Sequence, residues 1–351
     1  MLKKLGLLLC SIGMLLSYSA HAVVILQYHH VSDTTPKSTS VTPAQFAEQM
    51  AYLADNDFNV VSITDAVEAI KFRKAMPAKS IVITFDDGYD NIINNAAPIL
   101  DKYQFPYTVF VAAEPIAAGY KGMMSWQQIR ELAQGGATIA NHTWEHEHLI
   151  RKLDGESDSQ WLQRVEKSIV DTEEKILKET GQSVKMLAYP YGEYNSQVAS
   201  LIKDLGYIGF GQQSGAAGPH SILTALPRFP VAHAYADINE LKVKFTSLNM
   251  PVITQNKTDP LLEQGQWRPR LTVKLDMSDI HPHQLMCFVQ GQGANKPEWL
   301  NEDEFTIQAV TDLPAGRSRY NCTAPSKSGK GYYWFSQAWV RPKNDGTWVA
   351  E

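Results

Sequence analysis

From Val23 to about Leu248, short apolar runs alternate with stretches whose apolar residues recur at helical spacing, and no other feature limits the possible folds so strongly. Strands that alternate with helices pair in parallel, because each helix carries the chain back to the edge where the next strand starts. The runs Val23–Tyr28, Ser80–Phe85, Tyr107–Val111, 137–140, 185–189, 207–210 and 228–231 supply about seven strands, which suits a distorted (β/α) barrel. Thr42 is placed to cap a helix with Phe46, Met50 and Leu53 on one face, and Ser125 with Gln128 has capping-box spacing. The longest helix is predicted over residues 159–179, with Val165, Ile169, Thr172 and Ile176 inward and its charges on a solvated face.

After Pro251 the pattern changes to short strands broken by Gly, Pro and Asn, at 271–275, 285–289, 305–310, 318–322 and 332–340. This predicts a small all-β sandwich. The reading therefore divides the chain into a catalytic barrel at 23–250, a linker at 251–266 and the sandwich at 267–351.

Residues 1–22 read as a signal peptide: Lys3 and Lys4 precede an apolar run, and Ala20-His21-Ala22 offers small residues for cleavage after Ala22. The run is too short to span a bilayer, so no transmembrane segment is expected after cleavage and the product is exported, periplasmic or secreted. Cys10 leaves with the leader, and Cys287 and Cys322 are expected to pair as a disulfide in an oxidising compartment. Lys and Arg total 32 against 37 Asp and Glu, a formal charge of -5 that becomes -7 without Lys3 and Lys4. With no basic cluster, nucleic acid is excluded as a partner. Oligomeric state leaves no mark in the sequence.

Thr84-Phe85-Asp86-Asp87-Gly88 puts two adjacent carboxylates at the C-terminal end of a strand, where barrels place catalytic groups. Two acids side by side call for a cation or a shared proton, although Asp-Asp-Gly is also good turn chemistry. His142-Thr143-Trp144-Glu145-His146 then follows another strand, and its four-residue spacing would aim both imidazoles the same way from one helical turn. Two histidines and a carboxylate form an open metal site. The same string fits the H-x-x-E-H pattern of inverted zinc proteases with Glu145 as base, but a strand runs up to His142 where that class needs a helix. His148 reads as a bystander. Tyr189-Pro190-Tyr191-Gly192 can present backbone N–H groups to an oxyanion, and Asn195 can cap the helix that follows.

The TFDDG, HTWEH and YPYG segments, in this order, resemble the polysaccharide deacetylases of carbohydrate esterase family 4, with the likeness spanning roughly residues 23–248. Tyr28-His29-His30-Val31 is similar to the opening of a subgroup that includes poly-N-acetylglucosamine deacetylases. The resemblance implies Asp86 as general base, Asp87, His142 and His146 as ligands of a divalent metal, zinc by default, and the Tyr191 amide as oxyanion donor. It implies a braced loop at Thr143 and an N-acetylglucosamine-containing glycan as substrate.

Two departures follow. Where many members carry an arginine to orient the base, this chain has Ala188, and Arg228 is the candidate replacement. The usual late general-acid histidine is missing; His29 is preferred for that role over His233. The string 209–215 resembles a dinucleotide fingerprint only superficially and reads as a flexible loop bordering the cleft. Tyr332, Tyr333, Trp334 and Trp339 are read as core before sugar-stacking residues. The competing function is a non-catalytic glycan-binding protein on the same fold.

Overall fold

The computed structural model describes residues 22–350. The expected signal peptide, 1–22, lies outside these except for Ala22. Eight parallel strands form the first sheet: β1 (Val23–Tyr28), β2 (Asn59–Val60), β3 (Ser80–Phe85), β4 (Tyr107–Val111), β5 (Thr138–Asn141), β6 (Met186–Ala188), β7 (Ile208–Phe210) and β8 (Phe229–Pro230). Seven follow the order β8-β1-β3-β4-β5-β6-β7, and the short β2 pairs on β3. The strands curl into a half-barrel. Backbone bonds from Gly211 N to Leu226 O (2.9 Å) and from Arg228 N to Gln213 O (3.0 Å) then draw the β7 edge toward β8.

Alternation along the strands sorts their side chains into two sets. Val24, Leu26 and Tyr28 pack outward with Ile81, Ile83 and Phe85 against the helices, whereas Val23, Ile25 and Val82 share the interior with Phe110, Met186 and Leu226. The helix Ile63–Phe72 adds Ile63, Val67 and Ile70 to this inner cluster. At the C-terminal ends the inward positions turn polar, with Gln27, Thr84, Asp86, His142 and Arg228 all buried. The interior is therefore apolar at one end and chemical at the other.

Thr42 caps its helix as expected, in a capping box with Gln45, and the Ser125–Gln128 capping box forms. The long helix runs Asp158–Thr180 with Val165, Ile169, Thr172 and Ile176 buried. One acid departs from its solvated face: Glu173 is buried, accepting from Ser183 Oγ at 2.8 Å and from Asn141 Nδ2 at 3.2 Å.

The C-terminal sheets are β9 (Leu248–Asn249), β17 (Tyr332–Arg341), β16 (Gly316–Pro325), β12 (Met286–Val289) and β13 (Gly293–Asn295), facing β10 (Val252–Gln255), β11 (Arg270–Leu275), β15 (Glu304–Gln308) and β14 (Glu298–Trp299). Leu271, Val273, Phe305, Cys287, Tyr320 and Trp339 fill the space between them. Cys287 and Cys322 are directly opposed on β12 and β16 and are disulfide-bonded. The stretch read as a linker is not free chain: β10 lies within it and pairs antiparallel with β11. The strand before it, β9, pairs with β17. No helix among the described residues is long and apolar enough to cross a membrane.

Candidate active site and metal centre

β3 ends at Phe85, and the chain turns at once. Asp87 and Gly88 take positive φ values of 74° and 95°, which swings Asp87 away from the strand direction while Asp86 keeps the inward slot. A Cβ at Gly88 would meet Ile116 Cδ1 at 3.0 Å, so the turn tolerates little else.

Asp86 is fully buried and held by three side-chain donors, two from the Arg228 guanidinium and one from the Gln27 amide. Arg228 Nη1 donates to Oδ1 at 2.7 Å, Arg228 Nη2 to Oδ2 at 2.8 Å, and Gln27 Nε2 to Oδ2 at 2.7 Å. Arg228 is itself fully buried, and its Nε donates to the Gly211 carbonyl at 3.0 Å. Burial alone would raise the Asp86 carboxyl, but the Arg228 charge, reinforced by His142, holds it below the ordinary range. The Arg228 guanidinium lies 5.3 Å over the ring of Phe110, which packs in the same inner cluster as Ala188. Oδ1 accepts only the Arg228 bond from a side chain, which leaves it a lone pair for a further proton.

Asp87 Oδ1 lies 3.1 Å from His142 Nε2 and 3.2 Å from His146 Nε2. His142 Nδ1 sits 2.7 Å from the Ala188 carbonyl, which can only accept, so Nδ1 carries a proton and Nε2 is the nitrogen that faces Asp87. Oδ1 of Asp87 is buried without a hydrogen-bond partner. Lone pairs converging on a carboxylate oxygen demand either added protons or a cation. Burial would raise Asp87, yet the two imidazoles, when they carry those protons, hold it well below the ordinary carboxylate range. One ligand atom from each of Asp87, His142 and His146 lies within 4.8 Å of the others, a donor set that fits a divalent metal with positions left open.

The helical spacing expected for the two histidines is not how they converge. Residues 142–146 form no helix, and Thr143 and His146 adopt positive φ of 69° and 57°. Side chains hold this loop: Asn141 Oδ1 accepts from Thr143 N at 2.9 Å, Thr143 Oγ1 donates to Glu147 at 2.9 Å, and Ser168 Oγ accepts from Trp144 N at 2.9 Å. Glu145 is exposed, which removes the geometry a zinc-protease base would need.

Tyr191 has φ 60° at the rim, its ring 4.6 Å from that of His146 and stacked at 3.8 Å on His148. Gly192 takes φ 70° beneath it, and a Cβ there would strike Gln212 at 2.7 Å. His148 stays outside the three-donor cluster, as expected, and its Nδ1 pairs with buried Glu193 at 2.8 Å. Glu193 also accepts from Arg151 and Arg317, each at 3.4 Å. Arg317 comes from β16 and lies 5.3 Å over the Tyr191 ring.

His29 directly follows β1 and, when protonated, its charge acts on both Asp86 and Asp87. Its neighbour His30 instead stacks on Tyr89 at 3.7 Å, bonds Asn91 at 2.9 Å, and is pushed down to about 4 by burial and by His29. His233 is exposed at the rim, in the groove that includes Tyr191. The 209–215 string is a packed turn and not a flexible loop. Gln213 and Ser214 are buried, and Gln213 Nε2 donates to the Ala225 carbonyl at 2.8 Å.

Residues 73–209 match the family model for polysaccharide deacetylase, a segment that carries Asp86, Asp87, His142, His146 and Tyr191. Over this segment the chain is similar to polysaccharide deacetylase domains. Gln27, His29 and Arg228 lie outside the matched range.

The chain is 29% identical over 209 residues to YxkH of Bacillus subtilis, a protein named as a polysaccharide deacetylase, covering 59% of this chain and 71% of that one. It is 27% identical to the poly-beta-1,6-N-acetyl-D-glucosamine N-deacetylase of Escherichia coli K12, over 60% of this chain. The likeness spans only 36% of that longer relative. Among solved structures, the deacetylase PplD of Streptococcus pyogenes, in complex with acetate, shares the fold. It does so with a TM-score of 0.58 at 23% identity, covering 64% of this chain and 98% of that chain.

Proposed function

We propose that the chain is a divalent-metal-dependent hydrolase that removes N-acetyl groups from N-acetylglucosamine units of a polysaccharide outside the cytoplasm. The observation that carries this reading is Asp86, a buried carboxylate held ionised by Arg228, adjoining in sequence the three-donor cluster of Asp87, His142 and His146. A glycan-binding protein has no use for a base beside such a cluster. The deacetylase domain match and the named activity of the relatives support the substrate class.

Zinc, the default for two imidazoles and a carboxylate, would be held by Asp87, His142 and His146 and would supply Lewis acidity to the acetamide carbonyl and to water. Asp86 takes the proton of the attacking water on Oδ1, while Arg228, bonded to both oxygens, and Gln27, bonded to Oδ2, keep the carboxylate oriented. The Tyr191 N–H donates to the oxygen that gains charge as the carbonyl carbon becomes tetrahedral. His29 gives a proton to the departing nitrogen as the C–N bond breaks, which yields acetate and a free amine.

The test is acetate release from β-1,4- and β-1,6-linked N-acetylglucosamine oligomers, with and without a chelator. Release that a chelator abolishes and added zinc restores supports the reading; no release from either glycan by the metal-loaded chain rejects it.

A further inference from the structure

The barrel and the sandwich meet along a groove that leads away from the candidate site. Its first part, about 790 Å³, is lined by Tyr191, Gln212 and His233 on the barrel side and by Arg317 and Arg319 on the sandwich side. A second cleft of about 400 Å³ shares Pro230, Tyr235 and Arg319 with it, so the two are continuous.

The second cleft differs in character from the first. Phe229 and Tyr235 form its barrel wall, and Phe288, Tyr332 and Trp334 form the wall from β12 and β17. Twelve large apolar side chains are exposed among the described residues, and four of them, Tyr235, Val243, Phe288 and Tyr332, line this one cleft. Exposed rings gathered in a concavity mark a binding surface. Trp334 is held in place by an edge contact with Phe229 at 5.2 Å and by its Nε1 donating to Ser336 at 3.3 Å, so its ring is oriented before any ligand arrives.

Polar side chains are interleaved with the rings: Arg319, Asn321 and Thr323 project from β16 into the same cleft. Arg319 bonds the Gln212 carbonyl and Ser214, and Asn321 Oδ1 accepts from Ser336, yet a purely apolar ligand would strip water from their remaining donors and acceptors and from Thr323 without replacing it. A pyranose matches the mixture, because its C–H face lies on an aromatic ring while its hydroxyl and acetamide groups bond at the edge.

We propose that this interdomain cleft is a second carbohydrate subsite, holding an acetamido-sugar unit of the same polymer whose other unit lies at Asp86. The proposal rests on the deacetylase reading for the identity of the polymer. It makes the β-sandwich a substrate-gripping element, with chain length as the property it senses.

The experiment uses the metal-loaded full chain and dimers and hexamers of N-acetylglucosamine in both linkages. Stopped-flow tryptophan fluorescence reports binding before turnover, and acetate release reports chemistry. The hexamer of at least one linkage binds roughly tenfold tighter than the dimer, the scale of losing or gaining one aromatic anchor. Phe288→Ala with Tyr332→Ala reduces that ratio to within about twofold, and Phe288→Tyr with Tyr332→Phe retains it. Both residues are exposed, and either single alanine variant that melts like the wild type serves if the double variant does not fold. A hexamer preference that survives the alanine variants, or none in the wild type, overturns the subsite. Acetate release without hexamer preference rejects the subsite and keeps the deacetylase reading; hexamer-selective binding lost in the alanine variants, without any acetate release, does the reverse.

Discussion

Arg228 grips both carboxylate oxygens of Asp86, at 2.7 and 2.8 Å, from a position 142 residues further along the chain. Neither side chain touches solvent. The pair is thus both a structural bond across the barrel and the device that keeps the Asp86 carboxylate ionised where burial would protonate it.

Breaking such a pair from one side leaves an unpaired charge in the interior. Arg228→Met should cost about 3 to 5 kcal/mol of stability, and adding Asp86→Asn should recover a large part of that, as urea denaturation of the single and double variants will reveal. The pH dependence has a definite sign. Because the folded Asp86 carboxyl is lowered, its contribution is present above the unfolded value near about 3.9 and is lost as pH falls through the lower folded value. Denaturation series at descending pH should show this acid-side loss in the wild type and a shallower one in Asp86→Asn. Equal acid slopes would contradict the assignment.

Base and ligand should separate under substitution. His142→Ala and His146→Ala are expected to lose bound metal and turnover together, because two remaining donors hold a cation weakly. Asp86→Asn should keep its metal and lose about a hundredfold in turnover, the usual scale for a general base, whereas Asp87→Asn loses the metal. Elemental analysis beside acetate assays distinguishes them, and swapped phenotypes would exchange the two roles.

The general acid can be identified from the alkaline limb of the pH–rate profile. His29→Ala should erase that limb and lose most on substrates with poor leaving amines, while His233→Ala should preserve it. A limb that disappears only with His233→Ala transfers the role to the rim.

The Cys287–Cys322 bond closes a separation of 35 residues. Replacing both cysteines by alanine should lower the stability of the sandwich by roughly 3 to 4 kcal/mol in the chain-entropy picture. A calorimetric scan in which the barrel transition stays put while the sandwich transition moves down would meet this expectation.

The strand positions, the Thr42 cap, the Ser125–Gln128 capping box and the long helix were legible because their signals are local: a short apolar run, a hydroxyl three residues before a glutamine, a stripe at helical spacing. The position of Asp86 and Asp87 at a strand end was legible for the same reason. The convergence of His142 and His146 was read through the wrong geometry, since the loop depends on Asn141, Ser168 and Glu147, whose bonds no spacing rule reports. Gln27 had a faint signal, a polar residue in the inward slot after Val23 and Ile25, but an amide there is equally compatible with a strand end facing water. Glu193 and Arg317 had none, because their meeting depends on how two separately patterned domains pack.

The half-barrel's last strand, Phe229–Pro230, adjoins the arginine that clamps Asp86. A chain made N-terminus first delivers Asp86 long before Arg228, so the acid stays solvated or protonated until the final edge docks. The ionised, oriented carboxylate then exists only in the closed barrel, and completing the fold and priming this site are one event.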